Sequence, residues 1–157
     1  MPLRPLIVFV CLIAAPAPAA AQASGSATMT GTVLSAITIT GSDLGFGNVL
    51  STDSKRIAAP MGGRFVITMA ASAPVTIAYA LPASLGPGVA LGAWELLSNT
   101  LNDPASAQAI PASSGSGAFG ATTTTGTLYL WVGATVTTTG AGVGSYSQPI
   151  TLTVTYN

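Results

Sequence analysis

Apolar and polar residues alternate along much of this chain with a period of two, the spacing that puts successive side chains on opposite faces of a β-strand. The clearest run is Ile150-Thr151-Leu152-Thr153-Val154-Thr155-Tyr156, where Ile150, Leu152, Val154 and Tyr156 share one face and three threonines the other. Val75–Leu81 behaves likewise, with Val75, Ile77, Tyr79 and Leu81 inward; just before it Phe65, Ile67 and Met69 share a face, and Ala-Ser-Ala-Pro at 71–74 makes a corner. In residues 128–136, Leu128, Leu130 and Val132 form one face and Tyr129 and Trp131 the other, so either both faces are covered or the aromatic pair is exposed. Weaker strands are expected at Met29–Thr40, Phe46–Leu50, Ala93–Ser98 and Gly117–Ala121.

Between these runs lie the clusters of Gly, Pro, Ser and Asn that punctuate strands: 81–88, 99–111, 113–117 and 140–144. No segment of helical length carries a 3.6-residue period. Short strands with turn signals roughly every ten residues predict an all-β chain, a β-sandwich before a barrel. The threonine runs at 122–125 and 137–139 fit solvent-facing strand ends better than an O-glycosylated stalk.

Composition sharpens this picture at the N-terminus. Arg4 is followed by the apolar run Leu6–Ala15 and then by small residues through Ala23, the three parts of a secretory signal peptide. Cleavage fits after Ala21 or Ala23, which predicts a signal peptide at 1–23 and one sandwich domain at 24–157. The apolar run is about half the roughly 20 residues a membrane span needs, so the chain is not expected to span a membrane. Export through the inner membrane is expected, to the periplasm, the cell surface or the exterior. The only cysteine, Cys11, falls in the segment to be removed. What remains draws its polarity from hydroxyls, with 21 Thr and 15 Ser, and Thr favours strands.

Charge then removes whole classes of function. Charged residues make up 5% of the chain, against about 25% in an average soluble domain; phosphate neutralisation needs clustered Lys and Arg, so nucleic acid is not an expected partner. There is no histidine, so the usual base of a catalytic triad and the commonest metal ligand are missing. A Ser54–Lys55 dyad would require neighbours in a strand to face the same way, which they do not. Asp43, Asp53, Glu95 and Asp103 lie in four separate segments without the spacing of a paired-carboxylate site; three of them sit in turns, and Glu95 stands beside Trp94 in an expected strand. The chain is expected to be no enzyme, with no catalytic residues, cofactor or metal. Trp94, Glu95, Tyr129 and Trp131 are the candidates for a glycan contact, with core tryptophans as the commoner role.

A resemblance enters at Leu44-Gly45-Phe46-Gly47 after Ile37-Thr38-Ile39-Thr40, at Phe65-Val66-Ile67-Thr68 with Val75-Thr76-Ile77, and at the closing run 144–157. Together these are similar to an uncharacterised family of small secreted Gram-negative β proteins akin to spore-coat-U-type and archaic chaperone-usher pilin domains, over essentially the whole chain after residue 23. Pilins of that kind carry an alternating C-terminal strand with a penultimate tyrosine and a glycine fourteenth from the end; Tyr156 and Gly144 hold those places. They usually contain a disulfide, which no cysteine here could form after residue 23. At the other end Met29, Gly31 and Val33 alternate with threonines and resemble a donor extension, 24–33. The resemblance implies an incomplete, immunoglobulin-like, pilin-like sandwich completed by β-strand addition, from a periplasmic chaperone and usher during export and from other copies or related subunits in a fibre. Met29, Gly31, Val33, Gly144, Ile150, Leu152, Val154 and Tyr156 are then the assembly residues. Two alternatives stay open: that residues 28–40 are ordinary first strands of a self-complete domain, and that the chain is an extracellular binding or adhesin domain for a glycan.

Overall fold

Ten strands and two short 3-10 turns make up the regular structure of the residues that this computed structural model describes, Thr28 and 30–157. The expected signal peptide 1–23 and Met29 lie outside the described residues. The strands are β1 (Thr38–Ser42), β2 (Ser54–Ile57), β3 (Gly63–Thr68), β4 (Val75–Leu81), β5 (Ser84–Gly86), β6 (Val89–Asn99), β7 (Gln108–Ile110), β8 (Gly115–Ala121), β9 (Thr127–Thr138) and β10 (Thr151–Tyr156). Every pairing is antiparallel. Among the described residues no helix is long and apolar enough to cross a membrane.

The strands form a seven-stranded sheet in the order β1-β3-β9-β6-β5, with β2 also on β9 and β7 also on β6, and a three-stranded sheet in the order β10-β4-β8. The chain is an all-β antiparallel sandwich. Alternation is what closes it: Val75, Ile77, Tyr79 and Leu81 of β4 are all buried, and they meet the inward row of the large sheet. One part of the core joins Tyr79 and Leu81 to Val89, Leu91, Trp94, Leu96, Leu130, Val132 and Val136. The other joins Val75 and Ile77 to Ile67, Met69 and Leu128. Burying an aliphatic side chain of this size contributes about 1.5–3 kcal/mol, and Ile67, Ile77 and Leu130 are fully buried. The unit that holds this sandwich is Val33–Asn157; Thr28 and 30–32 belong to another unit and carry no regular structure.

β6 shows how a local irregularity keeps the core in phase. Val89 and Leu91 point inward, and so do Trp94 and Leu96, one residue out of step. A register shift against β9 between Gly92 and Glu95 absorbs the difference, with Ala93 at φ 43. This is a β-bulge, two residues facing one, and it turns the Trp94 ring into the core. Opposite Glu95 stands Gly133, against whose Cα the backbone of Ile57–Ala59 is packed so closely that no Cβ would fit.

Some expected strands change. Of the described part of the strand expected at Met29–Thr40, residues 30–40, only the end becomes strand, because β1 pairs with β3 from Thr38↔Thr68 onward and β3 stops there for the turn at 71–72. Phe46–Leu50 forms no strand, since Gly47 at φ 63 breaks the extension. Ile150 stands just outside β10. Trp131 is buried and stacks on half-buried Tyr129 with ring centroids 6.0 Å apart, so both faces of β9 are covered.

Candidate functional site: an opening between two edge strands

β1 and β10 are both edge strands, one in each sheet, and they lie on the same side of the sandwich. Ile37, just ahead of β1, packs with Leu152, Val154 and Tyr156 of β10 against Ile67, Val75 and Ile77. Yet the inward row of β10 is only half-buried, whereas the inward row of its neighbour β4 is buried throughout. A core-facing row left half-covered, beside backbone with no ladder on its outer side, marks the place where a sandwich lacks a strand.

At one end this side is tied shut. The Tyr156 hydroxyl donates to the Ser35 carbonyl oxygen at 2.8 Å and accepts from the Ala70 N–H at 2.6 Å, pinning the end of β10 to the chain entering β1. At the other end it widens into a cleft of ≈ 980 Å³. The floor and sides include Phe65, Leu85, Leu91, Trp94 and Val136, and the walls are residues 43–50, which continue from β1, and 141–150, which lead into β10. Leu44, Phe46, Val49, Tyr146 and Ile150 anchor these walls to the core. Among the described residues, no backbone–backbone hydrogen bond involves residues 43–49 or 141–150; Gly140 N–H to the Ser51 oxygen, at 3.0 Å, ties the two loops together just before the walls begin. Two wall carbonyls are held by side chains, Gly142 by the Tyr146 hydroxyl at 2.8 Å and Leu50 by the Thr138 hydroxyl at 2.5 Å; the cleft is otherwise apolar in its floor and flanked by peptide groups without ladder bonds, the two things an incoming strand satisfies together.

The expected assembly residues divide between the two units. Ile150 lines the cleft, and Leu152, Val154 and Tyr156 form the half-covered row. Gly144 lies exposed in a wall with open space around its Cα, so no close approach explains a glycine there. Gly31 is exposed, Val33 is 98% exposed, and neither is in a strand. Phe46, Phe65, Leu85 and Tyr146 were not among the expected residues; the alternation of Leu44 with Phe46 is the one signal in sequence that pointed to a wall.

Of the glycan candidates, Tyr129 and Trp131 stack on each other on the outer face of the large sheet, and Trp94 is apart from them. Trp94 faces the core, with Nε1 donating to Ser114 Oγ at 3.2 Å, while Trp131 and Tyr129 lie on the opposite face of the large sheet. At 7% and 4% exposure neither indole has a free face to stack on a sugar. Glu95 forms an ion pair with Arg56 and accepts the Ala59 N–H at 3.0 Å. That peptide N–H, and after it Arg56, holds the Glu95 carboxyl below its usual range against an opposing push from partial burial. Asp103 caps the 3-10 turn Pro104–Ser106, accepting the Ser106 hydroxyl at 2.6 Å and the Ala105 N–H at 3.0 Å, and is lowered by those bonds in that order. Ser54 Oγ lies 3.3 Å from Thr137 Oγ1. Among the described residues no three acidic or thiol groups cluster as metal ligands would. Compared with protein-family models, with curated proteins and with solved structures, the chain gives no match to any of them.

Proposed function

We propose that this chain is a secreted or cell-surface structural subunit, pilin-like or coat-like, that assembles by accepting a β-strand from another copy or a related subunit into the opening between β1 and β10. The observation that carries this reading is the pair of walls without ladder bonds, 43–49 and 141–150, running on from two edge strands over an apolar cleft. A strand laid there would gain ladder partners while its alternate side chains reach Phe65, Leu91 and Trp94. The donor is the segment 24–33, where Met29, Gly31 and Val33 share one side of an extended chain. Export through the inner membrane rests on the signal-like segment 1–23, and a chaperone that fills the same opening before assembly fits the same physics.

Deletion of residues 24–32 tests it. The intact chain is expected to form long polymers; the deleted chain is expected to stop at small species and to take up an added 24–33 peptide. Phe46→Asp, at a half-exposed wall position, is expected to abolish peptide uptake with the circular dichroism of the fold unchanged. Polymers that survive the deletion, or an intact chain that never polymerises and ignores the peptide, would refute the proposal and leave a self-complete binding domain in its place.

A further inference from the structure

Most free strand edges among the described residues are guarded against another chain. β2 carries Lys55 and Arg56; β5 has three residues, a register shift and prolines at 82 and 87 on either side; β7 has three residues and runs into Pro111. Charge, shortness, bulges and proline are the ordinary means by which sheets avoid edge partners. β1 and β10 border the opening described above. The remaining edge, β8, has none of these guards. Its seven residues, Gly115-Ser116-Gly117-Ala118-Phe119-Gly120-Ala121, contain no charge and no proline, and pair with β4 without interruption from Val75↔Ala121 to Leu81↔Gly115. Among the described residues no strand pairs with its other edge. Phe119 there packs against both parts of the core and lies 6.5 Å from the Tyr79 ring, yet it is only half-buried.

We propose that β8 docks against β8 of a second copy, the two strands pairing antiparallel about a two-fold axis to join two small sheets into one. The strand is complementary to itself in the way such an isologous contact demands. Pairing over its full length puts Ala118 on the axis, sets Ser116 opposite Gly120, and places Phe119 of each copy opposite Gly117 of the other. The space over Gly117 is already filled by the Tyr79 ring of the same chain, so the gain from the pairing is a neighbour for the half-buried edge of Phe119. Nothing repels: Asp43, Asp53, Lys55, Arg56, Arg64, Glu95 and Asp103 all lie on the large sheet or in loops, and the small sheet carries no ionisable group but tyrosine. β8 is at the opposite edge of the small sheet from β10, so this contact is separate from the strand-accepting opening and would tie assembled chains side by side.

The test uses the full chain with Cys11→Ser, so that an introduced cysteine is the sole one. Ala118→Cys is expected to give disulfide-linked pairs under mild oxidation, since only a residue on the axis meets its own equivalent, while Ser116→Cys alone gives none. In the variant lacking residues 24–32, sedimentation is expected to show a dimer that Ala118→Lys weakens at least about tenfold with the fold's circular dichroism intact, and that the neutral Ala118→Thr retains. A species that stays monomeric at every concentration, a dimer indifferent to Ala118→Lys, or equal cross-linking at 116 and 118 would overturn the proposal. Loss of peptide uptake at the opening alone would leave it standing.

Discussion

Ala93 and Glu95 stand on either side of Trp94, and each states a cost or a gain that can be measured. Ala93 holds φ 43 at the bulge of β6, a left-handed conformation that costs an L-residue about 1–2 kcal/mol, while a glycine there loses about 0.5–1 kcal/mol more chain entropy on folding. Ala93→Gly is therefore expected to stabilise the fold by about 0.5 kcal/mol in urea denaturation, and Ala93→Val, whose branched side chain tolerates this region least, to destabilise it. Glu95 accepts the Ala59 N–H and pairs with Arg56 at the surface. Its lowered pKa means that the ionised form is favoured by folding. That contribution is fully present above the ordinary carboxylate range and is lost as pH falls through the depressed value. Glu95→Gln is expected to cost about 1 kcal/mol at neutral pH, with the difference from the parent chain closing in acid; a gap that persists at pH 3 would mean that the charge is not what matters.

At the scale of elements, the strands that could be read from sequence are those whose alternation is unbroken and whose partners lie along their whole length. β4 spans the residues expected of it, and β9 and β10 are visible in their apolar rows. β2, β5 and β7, at three or four residues, are too short for a period of two to declare itself. β6 was recognised only beyond its bulge, because the phase change at Ala93 hides Val89 and Leu91 from a strict alternation. The opposite holds at 30–37 and 46–50, where alternation is present and a ladder partner is not. The second stretch coincides with the site: Leu44 and Phe46 alternate as a strand would, yet their peptide groups have nothing to pair with. Ile150, Leu152, Val154 and Tyr156 could be named from sequence because they share a strand period, whereas Phe65, Leu85 and Tyr146 reach the cleft from three separated segments. Amide hydrogen exchange should separate the two kinds of backbone. Residues 43–50 and 141–150 are expected to exchange rapidly while β4 and β9 are protected, and an added 24–33 peptide should slow exchange in both walls together. Protection in only one wall, or in neither, would place the incoming strand elsewhere.

The whole molecule distributes its few charges unevenly, and that decides how assembly should respond to solution conditions. With no histidine in the chain, no side chain at its ordinary pKa changes charge between about pH 5 and pH 8. Among the described residues Asp43 is the only ionisable residue besides tyrosine lining the cleft, Lys55 Nζ stands beside Gly47 of one wall, and the small sheet adds no ionisable group but tyrosine. A strand entering such a site gains ladder bonds and apolar cover, neither of which is screened by salt, while surface ion pairs weaken as the Debye length falls from about 10 Å at 0.1 M to 3 Å at 1 M. Uptake of the 24–33 peptide with both termini blocked, which then carries no charge, is accordingly expected to change by less than about twofold between 0.1 M and 1 M sodium chloride and to stay level from about pH 5 to pH 8. Strongly salt-dependent uptake would require charge at the contact, and there are two sources: Lys55, whose Nζ stands beside Gly47 of one wall, and the large-sheet surface around Arg56, Arg64 and Glu95, on the face away from the opening. Lys55→Ala separates them, since salt dependence that survives this change would move the site of assembly from the walls to that surface, against the geometry of both edge strands.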